Sequence, residues 1–523
     1  MLYLAFIYHM HQPYYKNLLT DDCRFPWVRL HGIKDYLDMV EILQGYPQIH
    51  QTFNLVPSLL EQIEDYLKGN VRDYFLMLSA KPAAELSEEE RRFILEHFFM
   101  ADPERVISAH PRYFELYAQK KRGGNFTTQD YLDLQVWFNL AWTDPIFRES
   151  DPGLKALVNK ARFFSEQEKQ LCLDAQEGIL RRIIPAYKKF RETGQIEITV
   201  SPFYHPILPL LYNTTSAKQA NLKTILPKTV FSFPQDAEAQ VRLAVEFYRQ
   251  RFGEAPLGMW PSEESVSEHI LPAIIKSGIN WIVADEVILF KTLKKKKRNA
   301  GLVYKPYTLK RKDGTLNIVF RDRNLSDLLS FQYHHWSAED AVTDLMKHFA
   351  NIHNAFAGEN PLVVIAMDGE NAWEYFRNDG CEFLNLLYKR ISQEKYISSV
   401  TVSEYLKAYP PSENLKQIEP GSWIYGNFNK WIGNPYKNLA WEYLAAARQE
   451  FERILSDDNK RLALGDKLSL AWKQMYIAEG SDWFWWYGDD HGYFDHLFRM
   501  HLSNFYTIIG KAIPEYLNRP LNP

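Results

Sequence analysis

The chain has 523 residues and a formal net charge of -4, with 46% hydrophobic, 24% charged and 15% aromatic residues. That apolar content excludes a disordered chain, which lacks the buried surface to offset ordering entropy. The absence of a cationic excess argues against a nucleic-acid partner. The length exceeds the roughly 250–300 residues at which one core stops growing, so a large domain with a smaller one is expected.

Taken in chain order, short apolar runs recur, each stopping at polar residues. Residues 2–8 run into His9 and His11, and a second strand is expected near residues 51–55. Roughly 140 helical-looking residues follow, too many for one crossover, and are read as an insertion at about 60–190. Residues 195–200 (QIEITV) lead into Ser201 and His205. A helix over 236–252 ends at Gly253, and residues 256–259 stop at Trp260 and Glu263. Residues 280–284 (NWIVA) stop at Asp285 and Glu286; Ser337 opens a helix towards Phe356; residues 362–367 (LVVIAM) stop at Asp368.

Continuous apolar runs suit strands buried on both faces of a parallel sheet, and their alternation with helices defines an α/β fold. Polar residues gather after the C-terminal ends of the strands, where barrel enzymes place their chemistry. An open nucleotide-binding sheet usually carries a glycine-rich phosphate loop, and neither such motif is present. The prolines and loop residues of 409–421 mark a boundary, beyond which 440–455 and 462–479 read as helices. The expected organisation is a barrel domain over 1–409 and a C-terminal helical domain over 410–523.

Cys23, Cys172 and Cys381 are too scattered for a disulfide framework. No apolar run approaches the roughly 20 residues of a membrane span, and the MLYLAFIY start lacks a basic n-region. A cytoplasmic protein with no membrane partner is expected; its oligomeric state is not legible.

Four segments carry candidate chemistry. His9-Met10-His11-Gln12 places two imidazoles on one face of a strand end. That suits hydrogen bonding to sugar hydroxyls, a metal site, or a structural pair. Metal ranks below sugar because no second ligand cluster is visible, so no metal and no cofactor are expected. Glu263, in Trp260-Pro261-Ser262-Glu263, sits at an expected helix entrance whose dipole favours its charged form, unless it is merely a capping acid. Asp368 follows the most apolar strand, where partial desolvation raises its pKa and suits a general acid; a turn acid is the alternative. Residues 483–487 (WFWWY) have no periodicity that buries them all, so they wall a sugar groove or a domain interface. Seven of the 14 Trp fall in residues 411–523, which favours the groove. The KKKKR run at 294–298 reads as a solvated loop.

Together HQP at 11–13, GQIEITVSPFYHPILP, GMWPSE, VIAMDGENAWEYF, WIYGNFNKWIGNPYKNLAW and AEGSDWFWWYGDDH resemble glycoside hydrolase family 57, in order and across nearly the whole chain. The resemblance implies an incomplete (β/α)7 barrel and retention of anomeric configuration. It implies Glu263 as nucleophile and Asp368 as general acid/base. Substrate contacts are assigned to His9, His11, Gln12, Glu197, His205, Trp260, Asp482, Trp483, Trp485 and His491. The motif wording is closest to the α-amylase and amylopullulanase branch, which implies an α-glucan or maltooligosaccharide substrate. A 4-α-glucanotransferase or branching enzyme, and more distantly a metal-dependent deacetylase or amidohydrolase, are the alternatives.

Overall fold

The computed structural model describes residues 1–488 and 492–521. Seven parallel strands form a nearly closed barrel: β1 (Leu2–Met10), β2 (Gln51–Leu55), β3 (Ile196–Thr199), β4 (Gly258–Met259), β5 (Trp281–Asp285), β6 (Gly314–Arg321) and β7 (Leu362–Asp368). Pairing runs β3–β2–β1–β7–β6–β5–β4. The ring closes between β3 and β4 through one parallel bridge, Val200 to Met259. A second thin seam joins β6 to β7 at Arg321 and Val364 alone. The Arg321 Nε donates to the Ala366 carbonyl at 2.8 Å, so a side chain spans the gap that the backbone leaves.

Alternation along each strand sorts its side chains. Leu4, Phe6 and Tyr8 of β1 point outward into the main core under the helices. Ala5 and Ile7 point inward and pack with Val283, Val319, Val364 and Ala366, between Trp260 at the open end and Trp281 at the start of β5. A short helix, Val402–Ala408, plugs the lower end with Val402, Tyr405 and Leu406. The interior is therefore a packed core, as in other β/α barrels.

Between β2 and β3 the chain is mostly helical, including α1 (Pro57–Leu67), α2 (Thr128–Trp142) and α3 (Glu166–Glu192). Buried Arg29 ties these pieces together, donating to Asn139 at 2.9 Å, Gln176 at 3.0 Å and Asp73 at 3.2 Å. Helix α4 (Pro234–Phe252) ends, as its sequence indicated, on left-handed Gly253.

After the barrel come α5 (Pro435–Leu455), α6 (Lys467–Ala478), α7 (Ser481–Trp486) and α8 (Tyr493–Ile508). The stretch read as one helix over 462–479 is broken, because Gly465 adopts φ 50 and separates Asp458–Leu464 from α6. Strand β6 was missed by the sequence reading. Asn317 and the basic residues before it hide the apolar run, although Asp313-Gly314 marks the hairpin that pairs Tyr307–Arg311 antiparallel with β6. Among the described residues, no helix is long and apolar enough to cross a membrane.

Candidate active site

Strand register sets the site. His9 on β1 pairs with Asp368 on β7 and with Asn54 on β2, and Asn54 pairs with Thr199 on β3, so four strand ends present their inward residues at one level. Asn54 Nδ2 donates to Thr199 Oγ1 at 3.1 Å, which leaves its Oδ1 as acceptor for His9 Nδ1 at 2.6 Å. His9 is thus the Nδ1–H tautomer with its Nε2 lone pair free of that bond. Burial, then the field of His11, lowers the His9 pKa to about 3, so the imidazole stays neutral.

The rings are layered. His9 stacks on Trp260 with centroids 4.9 Å apart, and His11 stacks on His205 at 4.1 Å. His205 follows β3 in a left-handed turn (φ 55) and is fully buried, its Nδ1 3.1 Å from Ser481 Oγ. Helix α7 docks here: the Ser481 N–H donates to the His205 carbonyl at 3.1 Å, and Asp482 accepts from His11 Nε2 at 2.9 Å. The C-terminal helices thereby complete a site begun by the barrel.

Glu263 does not stand at a helix entrance. Residues Ser262–Glu264 form a single 3-10 turn in which Glu263 (φ 58) and Glu264 (φ 49) are both left-handed. Such conformations cost non-glycine residues about 1–3 kcal/mol each and persist where neighbours enforce them. The enforcing neighbour is the segment after the barrel. Val266 and Gly421 exchange backbone hydrogen bonds at 2.9 and 3.1 Å, and the Trp423 N–H donates to the Glu263 carbonyl at 3.2 Å. Trp423 Nε1 then donates to Glu263 Oε2 at 2.8 Å. The helix-dipole expectation is corrected accordingly: burial pushes the Glu263 carboxyl up to about 8, the Trp423 bond opposes this, and the fields of Asp368 and Asp482 add to it. The side chain still keeps 14% of its surface open.

Burial also raises Asp368, against a 3.4 Å hydrogen bond from Asn371 and the fields of Arg321 and His11. Gly369 fixes the turn that follows. Its N–H donates to the His9 carbonyl at 2.7 Å, and a Cβ there would lie 2.4 Å from Met10 Sδ. Next to it, buried Glu370 accepts from the His11 N–H at 3.1 Å and from Gln12 at 3.4 Å. Gln12 in turn accepts from the Tyr15 hydroxyl at 3.1 Å, so it braces the turn.

The structure does not bring every expected residue together. Glu197 lies on β3 at the level of Ile7 and Thr52, two residues below His9 and Asn54. Its carboxylate accepts from the Ser403 hydroxyl at 2.6 Å, the Ser403 N–H at 3.0 Å and Trp281 Nε1 at 2.9 Å. It binds the plug helix rather than the open end of the barrel. Trp483 is 1% exposed, with Nε1 donating to the Ile477 carbonyl at 2.8 Å, and belongs to the core behind Asp482. Trp485 is half-buried against Trp431 and Lys430. Trp431 and Trp441 are likewise buried, so much of the C-terminal tryptophan surplus builds that region's own core. His491 lies outside the described residues. Lys294–Lys297 are exposed as expected, but Arg298 pairs with Glu286 and Asp322 at 2.8 Å.

Sequence reasoning missed Trp423 as a site residue, although it lies in a conspicuous WIYGN segment. It also missed the convergence of three ligand-type side chains. Donor atoms of His11, His205 and Asp482 lie within 4.8 Å of one another.

A β/α barrel whose open end carries two desolvated carboxyls, neutral imidazoles and indoles has the make-up of a glycosidase-type enzyme. The family model for glycosyl hydrolase family 57 matches residues 5–418, and the chain belongs to that family. An α-amylase of Pyrococcus furiosus is 22% identical over 372 residues, 61% of this chain and 48% of that protein; the chain thus spans about half the length of this relative. Among solved structures, a branching enzyme of Thermococcus kodakaraensis superposes with a TM-score of 0.63 at 16% identity, covering 97% of this chain and 90% of that one. The α-amylase AmyC of Thermotoga maritima does so with 0.58 at 14% identity, covering 98% and 95%. At these identities the likeness is one of fold.

Proposed function

We propose that this glycoside hydrolase-type enzyme cleaves α-glucosidic bonds, mainly α-1,4, in starch- or glycogen-type glucans with retention of configuration. The observation that carries the reading is the pairing of Glu263 and Asp368. Both are desolvated carboxyls, they reach the open end from different strands, and the field of one acts on the other. The names of the amylase relatives support the substrate class.

Asp368 donates its proton to the glycosidic oxygen while the Glu263 carboxylate attacks the anomeric carbon. Asp368 then withdraws a proton from the incoming acceptor. The pair must hold one proton to work. As pH falls through about 8 Glu263 takes up a proton and the nucleophile is gone, whereas at higher pH Asp368, also raised by burial, loses its proton and the acid is gone. A bell-shaped kcat/KM with its acid limb near 8 follows. The neutral His9 and His205 and the Asp482 carboxylate offer hydrogen bonds to sugar hydroxyls around that centre.

A second reading keeps this chemistry and replaces water by a sugar hydroxyl, and the branching-enzyme fold match favours it. Products from a single maltooligosaccharide separate the two. Shorter oligosaccharides alone support hydrolysis; longer ones, or new α-1,6 branches, overturn it in favour of transfer.

A further inference from the structure

His11, His205 and Asp482 come from the end of β1, the turn after β3 and the start of α7. Their donor atoms lie within 4.8 Å of one another, and His11 Nε2 is 2.9 and 3.2 Å from the two Asp482 oxygens. His205 is 0% exposed, and its Nε2 has no hydrogen-bond partner among the described residues. Its other nitrogen is engaged by Ser481 Oγ at 3.1 Å, the type of outer contact that orients a ligating imidazole.

We infer that His11, His205 and Asp482 form a binding site for a divalent transition-metal ion, zinc by its donor set, and that the ion and the glucan exclude one another there. Two imidazoles and one carboxylate are the protein ligands of many open zinc sites, with bonds of about 2.0–2.2 Å. Tetrahedral bonds of that length set donors about 3.3 Å apart. The His11–Asp482 edge, at 2.9 Å, is already close to this, and the two edges to His205 are within 4.8 Å. Calcium and magnesium prefer all-oxygen shells and fit poorly. The exclusion of glucan rests on the proposed sugar site; the metal site itself does not. The ion is a competitor here, since neither proposed catalytic carboxyl is a ligand.

The test is calorimetric titration of ZnCl2 into the chelator-stripped full chain, with CoCl2 as a visible-absorption probe of nitrogen and oxygen ligation. Binding should weaken on the order of 100-fold in His205→Asn and in Asp482→Asn. Asn tolerates the left-handed backbone of residue 205, and unchanged melting temperatures exclude a loss of fold. His335→Gln controls for the His334–His335 surface pair, whose rings are 3.8 Å apart, and should retain the site. In the wild type, maltooligosaccharide should weaken zinc binding, and zinc should raise KM without changing kcat. Zinc affinity unchanged in both site variants overturns the site. Zinc and glucan binding independently overturns the exclusion. Activity abolished by chelation and restored by zinc overturns the competitor role, and the carboxylate mechanism with it, while leaving the site standing.

Discussion

Replacing Glu263 by Gln is expected to make the protein both inactive and more stable. In the folded chain the carboxyl is held at about 8, against an ordinary 4.5, chiefly by burial. Between those values the unfolded chain ionises while the folded chain keeps its proton, so folding loses stability as pH rises. Each pH unit is worth about 1.4 kcal/mol. The loss is absent below pH 4.5, reaches about 3 kcal/mol at pH 7, and levels at about 5 kcal/mol above pH 8. Gln cannot ionise, and its carbonyl still accepts the Trp423 hydrogen bond. For a chain this long, whose unfolding entropy is about 1 kcal/mol per degree, the melting temperature at pH 7 should rise by about 3 °C. Differential scanning calorimetry of both proteins from pH 4 to pH 9 reads the effect directly. A widening gap up to pH 8, then a constant one, is expected. A gap that does not change with pH would refute the reasoning, because it would show that Glu263 titrates alike in both states.

Trp423→Phe removes the Nε1 donor while keeping most of the ring, and should cost about 1.5–3 kcal/mol in kcat/KM, roughly 10- to 100-fold. That donor pulls the Glu263 pKa down, so its loss should move the acid limb of the pH–rate profile upward; an unmoved limb would count against the contact. Glu197→Gln should lower stability by about 1–3 kcal/mol through its Ser403 and Trp281 partners, with kcat close to wild type. A large loss of kcat without loss of stability would place Glu197 in the site after all. Ile7→Ala should cost about 2–5 kcal/mol by opening a cavity in the barrel interior, measured by denaturant titration.

Much of the barrel was legible because strands buried on both faces must be apolar throughout, and because each stops where inward positions turn polar at the open end. Residues 2–8, 280–284 and 362–367 show both features. Strand β6 escaped because its exposed start is polar. Within the site, the strand-end residues His9 and Asp368 were visible because a strand's end fixes where they point. The register that places them at one level is a long-range property. Glu197 misled for the same reason: it is polar and near a strand end, yet two residues too low. The tryptophans misled because an indole looks the same in sequence whether it stacks on a ligand or, like Trp483, on the core. Trp423 and Asp482 reach the site from 160 and 471 residues away from Glu263 and His11, distances over which no local pattern operates.

The central claim is that Glu263 becomes covalently attached to the sugar. Incubation with a 5-fluoro α-glucosyl fluoride, which slows breakdown of a glycosyl-enzyme, followed by peptide mapping by mass spectrometry tests it most directly. One sugar equivalent on Glu263, absent from Glu263→Gln, is the predicted result. A label on another carboxylate such as Glu264, or turnover that releases the inverted β-anomer with no label, would contradict it.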